Sequence, residues 1–357
     1  MKRLLAGIIV IGLLLGAVWY ARGPIALAIT DRALDKAMRD DAVAKLPDGL
    51  HAFVCGSGSP LPDKDRNGPC TAVIAGGRIF LVDAGEGAAE SFARAGIPAG
   101  RIEGVFLTHF HSDHLDGLSA VALQRWVGKA ATTPLTLTGP PGVERIAAGL
   151  NELYAIDNGY RTAHHGAPVA PPSGGGFAAR AFAFPDGQDS LVVLNDGGLK
   201  VTVFKVDHGP ADPAVGYRFD YKGRSLVVSG DSSAAPNLVA NSKGADLLIH
   251  DALQPALVRR MAAAANEAGL KNRAKILEDI INYHASPEEV ARQGKEAGVK
   301  AVLLTHIVPP MPLRGLEVPF LGEARKTFGG PLWIARDRDL ISLPAGSTKI
   351  DRRRLGR

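Results

Sequence analysis

The sequence predicts a mixed α/β protein: one folded domain behind a separate apolar N-terminal segment. Three observations carry this. Residues 105 to 117, Val-Phe-Leu-Thr-His-Phe-His-Ser-Asp-His-Leu-Asp-Gly, run from a short buried-strand pattern straight into a cluster of imidazoles and carboxylates. Asp207-His208, Ser229-Gly230-Asp231 and Thr305-His306 each follow an apolar or alternating stretch, so they stand at the C-terminal ends of predicted strands. Stretches of helical length alternate with these strands, the pattern of sheets covered by helices.

Taken in order, Lys2 and Arg3 precede Leu4 to Tyr20, seventeen residues without a charge, and then Ala21-Arg22-Gly23-Pro24. This is the pattern of a signal-like or single-span membrane segment. The charges on the short end hold that end in the cytoplasm and send the body out, into the periplasm in a bacterium. Ala26-Leu27-Ala28 offers a cleavage site, but Arg22 and Pro24 intervene, so residues 1–28 are expected to be an uncleaved anchor, with cleavage as the alternative. Residues 29–47 form a linker or juxtamembrane helix, residues 48–345 the folded domain and residues 346–357 a basic tail.

With 357 residues, 46% hydrophobic and 22% charged, the chain has an ample core and is not disordered. The net charge of +5 is not spread over the fold: the tail from Gly346 carries +4, Lys2 and Arg3 carry +2, and residues 4–345 are left with −1. A near-neutral body lacks the basic stripe that phosphate-backbone binding asks for, so nucleic acid is not the expected partner. The two cysteines, Cys55 and Cys70, flank a Gly-, Pro- and Asp-rich loop from Gly56 to Pro69. In an exported protein they can pair and staple that loop, although spacing alone does not decide whether they approach.

Residues 51–55, 72–75 and 78–82 read as strands, the last two joined at Ala75-Gly76-Gly77. Asp83-Ala84-Gly85 follows, then a helix over 86–95 that Gly96 ends. After the strand at 105–108, a helix opens at 113–123 with Ser112 as N-cap and continues to about Val127. A strand at 135–138 and a helix at 141–153, with Pro141 near its first position, come next. Residues 157–190 hold few periodic apolar positions and the run Pro171-Pro172-Ser173-Gly174-Gly175-Gly176, which predicts a long surface excursion. His164-His165 within it reads as a solvated pair, with contact to substrate or metal as the alternative. Strands at 199–206, 215–221 and 224–228, the last two a hairpin through Lys222-Gly223, precede a strand at 247–250, a helical stretch at 255–283 and a strand at 301–304. Leu257, Met261, Ala264, Ala265 and Ala268 mark one face of that helical stretch, which either covers the site as a lid or packs on the domain.

Imidazole and carboxylate without thiolate suit zinc, and manganese or iron at similar geometry. In the turn after residue 108, His109 and His111 can face one point while Asp113 and His114 reach a second, so one loop can serve two ions. The pattern His-x-His-x-Asp-His, with His208 followed by Gly216-Tyr217-Arg218, Ser229-Gly230-Asp231, His284 in Tyr-His-Ala-Ser-Pro-Glu-Glu-Val, and Leu304-Thr305-His306, resembles the ribonuclease Z branch of the metallo-β-lactamase superfamily. That branch includes zinc phosphodiesterases and some arylsulfatases, and the resemblance covers residues 48–343. It implies an αββα sandwich. It also implies that His109, His111 and His208 hold one zinc, that Asp113, His114 and His306 hold another, and that Asp231 bridges them. His284 matches the non-ligand histidine that gives a proton to the leaving group, so His284 and the ligand Asp113 are the candidate catalytic residues. Asp83 matches the carboxylate behind the site that orients a metal-bound imidazole, with a turn-forming Asp before Gly as the alternative.

Two departures bear on substrate. Members of that branch that process transfer RNA carry a projecting arm between the residues matching His208 and Asp231; here only residues 209–230, 22 in number, intervene. Export would also take the site away from precursor transfer RNA. The expectation is a membrane-anchored or exported dinuclear zinc hydrolase acting on a small phosphodiester or related ester. An arylsulfatase or lactonase is the alternative on the same site, and a non-catalytic metal-dependent binding protein is the alternative of another class. A homodimer is left open.

Overall fold

Glycine pairs and strand ends set the architecture in the computed structural model, which describes residues 2–356. Within the first helix the side chains of Lys2, Leu5, Ile8, Ile9, Val10, Leu13, Leu14, Lys36 and Ala37 lie outside that description. The chain divides after Ala42 into two units. The first is a single helix, α1 (Lys2–Arg39), which runs through Pro24. Among the described residues no helix is long and apolar enough to cross a membrane, so the expected spanning segment gains no support here.

In the second unit, β1 (Gly49–Gly56), β2 (Cys70–Ala75) and β3 (Arg78–Val82) form an antiparallel meander. Gly76 and Gly77 turn the chain between β2 and β3 with φ of 56° and 82°, the left-handed pair that a two-residue hairpin needs. α2 (Ala88–Ala95) leads to β4 (Ile102–Phe106), α3 (Leu118–Lys129) to β5 (Leu135–Gly139) and α4 (Val143–His165) to β6 (Phe177–Ala181), each strand parallel to the one before. β7 (Ser190–Asp196), β8 (Leu199–Val206), β9 (Ala214–Tyr221) and β10 (Arg224–Val228) open a second sheet as an antiparallel ribbon. After α5 (Pro236–Ser242), β11 (Leu247–Leu253) joins it in parallel. α6 (Pro255–Glu267), α7 (Lys271–Asp279) and α8 (Pro287–Ala297) lead to β12 (Ala301–Val308), also parallel. Beyond α9 (Glu317–Leu321) and α10 (Ala324–Phe328), β13 (Leu332–Ile334) ends the sheet, and β14 (Asp339–Pro344) and β15 (Asp351–Arg354) return to the first. The orders are β15-β14-β1-β2-β3-β4-β5-β6 and β13-β12-β11-β10-β9-β8-β7.

The inner faces meet in one apolar layer. Leu50, Val73, Phe80 and Phe106 of the first sheet pack against Val203, Tyr217, Phe219 and Ile249 of the second, with the Phe106 ring 5.2 Å from Tyr217 and 5.8 Å from Phe219. Outside the second sheet, Val227, Leu248 and Val302 are covered by Leu238 of α5 and Val290 and Ala291 of α8. Outside the first, Phe53 meets Phe92 of α2 edge to face. The layers therefore run helix, sheet, sheet, helix, the two-sheet α/β sandwich that the resemblance implies. Cys55 and Cys70 are disulfide-bonded, with Cα atoms 5.0 Å apart, and close the loop they flank.

Several local expectations change. The helix expected from residue 113 is a tight 3-10 turn, Ser112–His114, and α3 starts only at Leu118 after Gly117. α4 runs to His165, so residues 157–165 are helical and His164 and His165 stand exposed at its end. Only Val143 and Ala147 of α4 are buried, which is why its later turns carry no apolar stripe. Residues 177–181 are also strand rather than loop, while residues 182–189 remain loop before β7. α6 buries Val258, Ala262 and Ala265, so of the expected face Ala265 is buried and Leu257 half-buried while Met261, Ala264 and Ala268 are exposed; in an Ala-rich helix stripes of similar spacing overlap. That buried face packs with Leu253 and Val308 at the ends of β11 and β12 and with Leu61 of the disulfide-closed loop. The basic tail is not all solvated end, because Asp351–Arg354 is the edge strand β15 and Arg352 bonds Asp339 at 2.6 Å.

Candidate metal centre

All the ligands predicted from the sequence meet at one end of the sandwich's strands. Donor atoms of His109, His111, His208 and Asp231 lie within 4.8 Å of one another, and so do those of Asp113, His114 and His306. Asp231 Oδ2 is 4.0 Å from His109 Nε2 and 3.8 Å from His208 Nε2 on one side. On the other it is 3.3 Å from His114 Nε2 and 3.1 Å from His306 Nε2. One carboxylate oxygen thus borders both groups. His111 turns Nδ1 inward, 2.9 Å from His109 Nε2 and 3.3 Å from His208 Nε2. Asp113 Oδ2 is 3.3 Å from His306 Nε2 and 3.6 Å from His114 Nε2.

Neighbouring groups fix the tautomers. Asp83, just after β3, accepts from the Thr108 amide at 2.9 Å and the Thr108 hydroxyl at 2.7 Å, and holds His114 Nδ1 at 2.8 Å. The Thr108 hydroxyl gives its one proton to Asp83, so toward His109 Nδ1, 3.0 Å away, it can only accept. His208 Nδ1 donates to the Tyr283 carbonyl at 3.0 Å. In each of these three imidazoles Nδ1 carries a proton and Nε2 faces the centre. Asp83 and His306 adopt φ of 58° and 45°, left-handed conformations that cost a residue with a Cβ roughly 1–2 kcal/mol. Of the five non-glycine residues with positive φ, these two belong to the site, where such strain tends to be kept.

His284 is held differently. Its Nδ1 is 2.8 Å from Asp251 Oδ2, while Asp251 Oδ1 takes His250 Nδ1 at 2.8 Å and the Ser232 amide at 3.2 Å. A donor atom of His284 also lies within 4.8 Å of Asp231 and His306, so it stands beside the second group. Asp251 was not singled out from the sequence. Its signal was its place directly after the strand predicted at 247–250, the same strand-end position that marked the other site residues.

Burial, above all, lowers the pKa of His109, His111 and His208, with His109 moved furthest, which favours the neutral form that can bind a cation. For Asp231 burial opposes ionisation, but His306 and His114 outweigh it and hold the carboxyl well below its usual range. Burial likewise disfavours a charge on His114, yet Asp231 and Asp83 outweigh it and hold that imidazole well above its ordinary value.

The donor set fits a divalent cation. His114 Nε2 is buried and has no hydrogen-bond partner among the described residues, an arrangement that is costly unless something else meets it. Donor separations of 2.9 to 4.0 Å bracket the edge, about 3.3 Å, of a tetrahedron with ligands about 2.0 Å from its centre. His164 and His165, exposed on α4, belong to none of these donor groups.

Fold and site together define a metal-dependent hydrolase. Residues 78–307 match the Beta-lactamase superfamily domain, and the chain belongs to that superfamily. It is similar to ribonuclease Z of Mycobacterium marinum, 34% identical over 298 residues that cover 83% of this chain and 99% of the relative. Ribonuclease Z of Mycobacterium avium is 36% identical over 301 residues, 84% of this chain and 100% of the relative. Among solved structures, the metallo-beta-lactamase fold protein YhfI from Bacillus subtilis aligns with a TM-score of 0.59 at 21% identity, covering 82% of this chain and 99% of that one. The short form of human tRNase Z aligns with a TM-score of 0.57 at 20% identity over the same shares.

Proposed function

We propose that this chain is a dinuclear zinc hydrolase that cleaves phosphodiester or related ester bonds, with manganese or iron as the other metals its ligands suit. The observation that carries the reading is Asp231 Oδ2, set between two groups of imidazoles with His284 beside them. His109, His111 and His208 would hold one ion and Asp113, His114 and His306 the other, with Asp231 shared. When bound, such ions supply Lewis acidity and a nucleophile near neutral pH. The residues around them do the rest: Asp83 keeps His114 in the liganding tautomer, and His284, fixed through Nδ1 by Asp251, keeps Nε2 to hold a proton for the departing oxygen.

Export and anchoring belong to the same proposal. Lys2 and Arg3 ahead of the uncharged residues 4–20 support an N-terminus held inside and a catalytic body outside. The Cys55–Cys70 disulfide supports an oxidising compartment.

RNA is a second reading, favoured by the name of the relatives. Those relatives are matched along nearly their whole length, so the short 209–230 segment does not by itself set this chain apart from them. The test is one preparation of full-length protein, its metal content measured, assayed on bis(p-nitrophenyl) phosphate, p-nitrophenyl sulfate, a lactone and precursor transfer RNA. Metal-dependent cleavage of the phosphodiester is expected to dominate. Dominant sulfate or lactone turnover would replace the phosphodiester assignment, efficient transfer RNA processing would select the second reading, and two bound metals without turnover would leave a binding protein.

A further inference from the structure

Away from the metal centre, a hollow of about 460 Å³ has Arg66, Arg325, Arg336, Arg352 and Arg354 in its lining against two carboxylates, Glu317 and Asp339. These arginines come from four separate places: the disulfide-closed loop, α10, the turn after β13 and the edge strand β15. Some are explained without a ligand. Arg352 lies over the Trp333 ring and pairs with Asp339, and Arg66 bonds Ser57 and the Ala335 carbonyl with Asp63 at 3.7 Å. A run of charge on β15 also blunts a sheet edge against pairing with another chain. Neither account reaches Arg325 or Arg336, which are not on that strand. Arg336 is 61% exposed and stands 3.8 Å from Glu317, Arg325 is exposed in α10, and Arg354 donates through Nε to the Asp337 carbonyl. Guanidinium groups gathered this way repel one another until an anion meets them, and their planar forks match phosphate oxygens.

Arg66 also borders a second hollow, of about 770 Å³, which reaches Ser112 and Asp113 of the metal centre. Arg66 is thus in the lining of both hollows. The second hollow has Asp63, Glu86, Glu90, Asp113 and Asp116 in its walls against Lys64, Arg66 and Arg94, so its lining is net acidic and the grip falls to the arginine cleft. We propose that this cleft is an anion-binding exosite that holds backbone phosphates of a single-stranded oligonucleotide outside the cleavage site. This deepens the phosphodiesterase reading and rests on it; charge that reads as a loose tail in the sequence is folded into a cleft with arginines from elsewhere.

The test titrates full-length, metal-loaded protein with a fluorescein-labelled single-stranded DNA oligonucleotide across a salt series. Binding should weaken with salt at a slope of about −0.7 per phosphate gripped. The Arg325→Ala/Arg336→Ala variant should bind about tenfold or more weaker at low salt, with a slope shallower by about 1.4. The Arg325→Lys/Arg336→Lys variant should keep most of the affinity, and bis(p-nitrophenyl) phosphate hydrolysis should be unchanged in both. Unchanged affinity and slope in the alanine pair would overturn the exosite, as would equal loss in the lysine pair, which marks a packing role. Loss confined to phosphatidylglycerol vesicles would also overturn it and assign the cleft to a membrane surface. If bis(p-nitrophenyl) phosphate is not hydrolysed at all, the phosphodiesterase reading fails while the binding arm still judges the cleft.

Discussion

Asp251 Oδ2 and His284 Nδ1 are 2.8 Å apart, and the carboxylate is itself buried and braced by His250 and the Ser232 amide. His284 therefore presents one defined nitrogen to the site. His284→Ala is expected to keep both metals and lower turnover roughly 100-fold. The loss should be smaller for p-nitrophenolate, which departs without a proton, than for alkyl leaving groups. Asp251→Asn, acting through His284, should show the same split in milder form. A missing metal in His284→Ala would make His284 a ligand instead, and equal losses for both leaving groups would remove it from proton transfer.

Metal analysis of the purified chain should find close to two ions per molecule, and chelation should abolish hydrolysis, because Asp231 Oδ2 borders two donor groups. Asp113→Ala or His306→Ala should lower the count. A single tightly held ion at full activity, indifferent to either change, would rule out the dinuclear assignment.

Asp83→Asn tests the brace rather than the ligands. The amide cannot accept as strongly from His114 Nδ1 and Thr108 at once, so metal affinity should fall about 10- to 100-fold with the fold intact. Competition with a chromogenic chelator reads the affinity and circular dichroism the fold. Wild-type affinity would leave Asp83 as a turn residue only.

The disulfide spans a sequence separation of 15, for which the chain-entropy estimate of its stabilisation is about 3 kcal/mol. Replacing both Cys55 and Cys70 by Ser should lower the urea midpoint accordingly. A midpoint that does not move would show that Asp337, which holds Ser57 and Asn67, pins the loop unaided.

A reporter fused to the C-terminus should be active in the periplasm and stay with the membrane fraction, on the strength of Lys2, Arg3 and the uncharged residues that follow. A soluble product beginning near Ile29 would decide for cleavage, and a cytoplasmic C-terminus would overturn the orientation.

The site was more legible in the sequence than its surroundings. Ligands at strand ends leave a visible mark, a run of β-favouring apolar residues that stops at His or Asp, and His208, Asp231 and His306 all carry it. What the sequence hid depends on partners distant along the chain. The side of α6 that is buried is decided by Leu253, Val308 and Leu61, not by its own alanines. The left-handed backbone at Asp83 and His306 goes against local preference and has no local signal. β15 reads as a polar tail because an edge strand needs only backbone pairing with β14.

That pairing at the sheet's rim has a consequence for how the molecule is made. β1 is hydrogen-bonded along one side to β14, Gly49 opposite Pro344, so the first strand of the domain waits for nearly the last. His306 closes the metal centre almost as late. A nascent chain on the ribosome therefore cannot complete its final form, because the contacts that close the sheet are long-range rather than local. If the body is exported, this delay keeps it threadable while the N-terminal segment is already being read. The same arrangement makes the C-terminus a poor place to trim: a chain stopped before β14 would leave β1 an open, apolar edge, prone to joining its neighbours in aggregates.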